Sequence, residues 1–109
     1  MGAALAALES VYFSLQSKLA DMLDTCQTDE QRTEIQNQYE TARQNYWNSI
    51  NKSFRDDDPG LQTLTANAKS AAQQVLKIDK DLNTISEVLK IVKQAVDISS
   101  QIASMASSL

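Results

Sequence analysis

The chain has 109 residues, with two glycines, one proline, no histidine and a formal net charge of −4. That length suits one domain, and the scarcity of Gly and Pro beside abundant Ala, Gln, Leu, Ser and Lys favours helix almost throughout. The acidic balance argues against holding nucleic acid or an anionic membrane by bulk charge, and the missing histidine removes His triads, His general bases and His metal sites.

The first predicted helix runs from Ala3 to about Cys26. Its seam is Leu5, Leu8, Tyr12, Leu15, Leu19, Met22 and Cys26, at three-four spacing. A break is expected near Gln27–Thr28. Thr28-Asp29-Glu30-Gln31 has the form of a capping box, with two acids in the first turn. Phase agrees, because Ile35 lies about 180° around a straight helix from Cys26. The second helix is expected over about 29–55, with Ile35, Tyr39, Ala42, Tyr46, Ile50 and Phe54 on one face and Trp47 beside them.

Asp56-Asp57-Asp58-Pro59-Gly60 is the one plain turn. Asp58 is suited to cap a helix that opens with Pro59. From there the periodicity predicts a single helix over about 60–109, about 75 Å long. One seam passes through Leu61, Leu64, Ala68, Ala71, Val75, Ile78, Leu82, Ile85, Leu89, Val92 and Val96. A second opens at Val88 and continues through Ile91, Ala95, Ile98, Ile102, Met105 and Leu109. Together they span an apolar arc of roughly 150°, wider than a coiled-coil stripe. The expected fold is therefore all-α: one domain over 1–109, an elongated antiparallel hairpin or three-helix bundle of helices 3–26, 29–55 and 60–109, turning at 56–60.

Sites of chemistry are scarce. The single cysteine excludes an intrachain disulfide, and its place on the apolar seam reads as a small buried residue. The three consecutive aspartates lack the ligand spacing of a calcium loop and read as a turn with a cap. Two glycines leave no phosphate loop. The expectation is a protein without catalytic residues, cofactor or metal. No amino-terminal signal of the Sec type and no membrane-length apolar window is present, which suits the cytoplasm or export without a cleavable signal peptide.

The wide face of 85–109 then carries the functional expectation. Val88, Ile91, Val92, Ala95, Ile98, Ile102, Met105 and Leu109, with Trp47 outward on the second helix, are the candidate partner-binding residues. They suit self-association into a homo-oligomer or a helical protein partner. A membrane-active helix that inserts this face is the alternative. A small chaperone or antitoxin-like binder that masks a partner's helix is a third reading. Trp47-Asn48-Ser49 resembles the turn of small secreted helical hairpins with a Trp-x-Gly motif, with Ser49 in place of Gly and the real turn ten residues on. Asp58-Pro59-Gly60-Leu61 is similar to the central turn of type III secretion needle subunits. Both resemblances imply bacterial hairpins that are secreted or assemble.

Overall fold

The structure, a computed structural model, describes residues 2–108, with Ser108 described by its backbone. It is all-helical apart from one short ribbon. The order is α1 (Ala3–Thr25), α2 (Asp29–Ser49), β1 (Lys52–Ser53), α3 (Pro59–Leu76), α4 (Ile85–Ser104) and β2 (Ser107–Ser108).

The break after α1 falls where the capping box is. The Gln31 backbone N–H donates to the Thr28 hydroxyl, and the Gln31 side-chain oxygen accepts from the Thr28 backbone N–H. α1 and α2 form an antiparallel hairpin. α3 opens as its sequence indicates, with Pro59 in the first turn and the Asp58 carboxylate accepting from the Leu61 N–H at 3.0 Å.

Two boundaries depart from the expectations. α2 ends at Ser49 rather than near residue 55, because Lys52 and Ser53 are extended and pair antiparallel with Ser108 and Ser107. The long third helix is also two helices, α3 and α4, separated by residues 77–84. Turn chemistry stops the helix here. The Asp79 carboxylate accepts from the Asp81 N–H, the Asn83 side chain accepts from the Asp79 N–H, and the Asn83 N–H donates to the Asp79 carbonyl. Thr84 and Glu87 then form a second capping box that starts α4. Leu82, placed on the seam by periodicity, sits at the tip of this loop and is 80% exposed.

The result is a four-helix bundle of 43 × 21 × 18 Å, made of two antiparallel hairpins. α1 touches the other three helices, and α4 touches all three as well. α2 and α3, consecutive in sequence, share no contact and lie on opposite sides. One core runs between them, from Ala4, Leu8, Val11 and Leu15 of α1, through Ile35, Ala42 and Tyr46 of α2 and Leu61, Ala68 and Val75 of α3, to Val88, Val92, Val96 and Ile102 of α4. Seven of its buried residues are alanines, small enough to let helix axes approach closely.

Polar stitches hold the hairpins in register. The Asn45 amide donates to the Ser99 and Ser100 hydroxyls at 2.8 and 3.0 Å, joining α2 to α4. The Lys18 ammonium donates to the Ile78 carbonyl at 3.0 Å, just beyond the C-terminal end of α3, where the helix dipole favours a cation. The Asp56 carboxylate accepts from the Ala4 N–H at 3.0 Å and so caps α1 from the far side of the first hairpin. A side chain at position 2 would run into that carboxylate, and Gly2 leaves the space.

Two measurements test this arrangement. In urea denaturation, Ile102→Ala should cost about 2–5 kcal/mol, because it empties a fully buried site. Leu82→Ser, at the exposed tip, should stay within about 0.5 kcal/mol. The second concerns pH. The Thr84 backbone N–H and hydroxyl hold the Glu87 carboxyl below the usual carboxylate range. Its folded pKa is depressed, so the stabilisation is present above the unfolded value and is lost as pH falls through the folded one. Glu87→Gln keeps the cap and removes the titration. It should flatten the fall in melting temperature as pH drops below the ordinary glutamate value of about 4.3.

Candidate functional site

The doubling back of α4 decides where the expected partner-binding residues lie. Val88, Val92, Ala95 and Ile102 are fully buried in the chain's own core, so the apolar arc is covered from within rather than by another molecule. Ile91 and Ile98 are half-buried, and they line a groove of about 440 Å³ between α3 and α4 whose other walls include Asn67, Ser70 and Gln94. Met105 is 38% exposed. Leu109 lies outside the described residues. Of the eight described, Trp47 is the most exposed, at 54% on α2.

Trp47 is one end of a connected set of aromatic rings. Tyr46 is buried between α1 and α2, its ring centroid 5.8 Å from Trp47, 5.9 Å from Tyr12 and 6.1 Å from Phe13. Tyr12 continues the set to Tyr39 at 5.7 Å. These separations are in the range where offset and tilted rings attract. The Tyr46 hydroxyl donates to the Glu9 carboxylate at 2.8 Å, and this bond, with burial, raises the phenol's pKa above its ordinary value. Tyr12 and Tyr46 are thus fixed in the interhelical seam. Phe13 and Trp47 flank them on the outside, 47% and 54% exposed. The arrangement is a rigid aromatic strip across the α1–α2 face, with a buried base and two solvent-facing ends.

Phe13 was legible in principle. It follows the seam residue Tyr12 by one position, about 100° around α1 and off the seam, on the side away from the buried Val11. It also forms the lip of a second groove, about 540 Å³, between α1 and α3, lined by Ser10, Ser14, Lys69, Ala72, Gln73 and Leu76. Leu76 is 43% exposed there.

The remaining chemistry is sparse. Cys26 is buried, with its thiol donating to the Met22 carbonyl, and burial pushes its pKa up against the opposing charge of Arg32. A thiol so held is a poor nucleophile. Among the described residues, no group of three or more Cys, Asp or Glu side chains converges as a metal site, and no helix is long and apolar enough to cross a membrane. No protein-family model, curated protein or solved structure matches the chain.

Trp47 is the one tryptophan, so its environment can be read directly. Acrylamide should quench its fluorescence in the folded chain with a constant within about twofold of that in the urea-unfolded chain. Strong protection in the folded chain would contradict the exposed strip.

Proposed function

We propose that this chain is a non-enzymatic interaction protein that docks another protein through the aromatic strip ending in Phe13 and Trp47. The observation that carries this reading is the pair of half-exposed rings held by a buried tyrosine base. Each ring is pre-oriented, so little side-chain entropy is lost on binding. Tryptophan and tyrosine are over-represented among the few residues that dominate interface energy, which cost about 2 kcal/mol or more when truncated. Isolated exposed apolar residues are ordinary on protein surfaces, but two large rings packed on one rigid base are a preformed anchor.

This replaces α4 as the docking element. The apolar face of α4 forms the bundle core, and using it for a partner or for a membrane would require the hairpins to part. Val92→Asp and Ile102→Asp would therefore act first on folding, by burying an unpaired charge.

The test is retention on immobilised chain. A protein from the source cells, or free copies of the chain itself, should be retained by wild type and by Leu82→Ser, and lost to Phe13→Ser/Trp47→Ser. Equal retention by all three would remove the strip as the docking site.

A further inference from the structure

Resting on that reading, we infer that the protein docked on this side of the bundle is a second copy of the chain. The two copies are related by a two-fold axis near Phe13, with Phe13 of each copy seated in the α1–α3 groove of the other. Three features of the surface support this occupant. The first is charge. The first twenty residues of the chain contain two charged side chains, Glu9 and Lys18. Both are turned to partners within the chain, Glu9 to the Tyr46 hydroxyl and Lys18 to the Ile78 carbonyl. The outward face of α1 through Ala6, Ser10, Phe13, Ser17 and Ala20 is left uncharged. Two molecules that each carry a net charge of −4 meet less repulsion on this face than on one bearing free acids. The charge on the groove wall is Lys69, so the groove brings no further acid to the contact.

The second feature is shape. A two-fold pair needs each surface to carry both halves of the contact, a projection and the recess that receives it. Phe13 projects at the lip of a groove floored by the small side chains Ser14 and Ala72 and closed at its far end by the exposed Leu76. The knob and the hole lie side by side on one molecule. The third feature is size. A face 43 Å long and 21 Å wide can supply the roughly 800 Å² per partner that a standard specific interface uses.

The experiment is sedimentation equilibrium over a dilution series reaching about 1 mM, a range that resolves weak dimers. The wild-type chain should approach twice its monomer mass. Phe13→Glu places a carboxylate at the centre of the contact, and Gln73→Glu places one in the groove wall, at an exposed position outside the aromatic strip. Each should weaken dimerisation by about 30-fold or more with the helical circular dichroism unchanged. Lys90→Glu, on the exposed side of α4, should leave it as in wild type. A wild-type chain that remains monomeric throughout would overturn the second copy as occupant, while the retention experiment separately decides whether the aromatic strip docks a different protein. A dimer indifferent to both Phe13→Glu and Gln73→Glu would overturn the proposal equally, since the pairing face would then lie elsewhere.

Discussion

The constraint that organises this molecule is the apolar arc of α4. Val88, Val92, Ala95, Val96 and Ile102 must leave water, and no single neighbouring helix is wide enough to cover an arc of that breadth. The chain meets the requirement with three partners. α3 and α2 flank α4, and α1 closes the diagonal. The rest of the fold follows from that requirement. α1 must fold back on α2 to reach the centre, and residues 77–84 must reverse the chain so that α4 lies among the other helices. The connection between α2 and α3 must then cross the end of the bundle. Ala4 and Ala7 on α1 and Ala95 on α4 are fully buried, and side chains this small let packed helices come close.

Much of this was legible in the residues, and the part that was not has a specific cause. The helical class, the break at Thr28 and the start of α3 at Asp58-Pro59 each rest on local chemistry that acts within a few residues. The reversal at 77–84 rests on chemistry of the same kind, Asp79 and Asn83 in a turn and the Thr84-Ile85-Ser86-Glu87 capping box. It was hidden because Ile78, Leu82, Ile85 and Leu89 keep helical spacing across it. Periodicity reports which residues want burial in a helix. It cannot tell one helix from two that happen to share a phase. Ile78 and Leu82 separate in the structure, one fully buried and the other at the tip.

The same confusion put Val88, Val92, Ala95 and Ile102 on a face open to a partner, where the bundle buries them, while Trp47 is exposed as expected. An apolar surface too wide for its neighbour reads as a site for another molecule only if the chain cannot fold back on it. Once the reversal is in place, large apolar side chains remain exposed at Leu82, Leu76, Met105 and Ile50 and, as rings beside buried tyrosines, at Phe13 and Trp47. Trp47 was expected to face outward from its helical phase, and Phe13 lies off the seam of α1 by the same reasoning. Both are single large rings next to a buried tyrosine, and what distinguishes them is that α1 and α2 bring their neighbours Tyr12 and Tyr46 together.

The short connection between α2 and α3 receives both ends of the described chain. Asp56 caps α1 at Ala4, and Lys52–Ser53 pairs with Ser107–Ser108 after α4. Residues separated by almost the whole sequence therefore emerge at the same pole of the bundle, while the Asp79–Thr84 loop with Leu82 occupies the opposite pole. Polypeptide fused to either end would leave from one side and hang clear of the long faces. The bundle can thus be tethered at a single pole, like a post set in a base, with its sides still open to solvent.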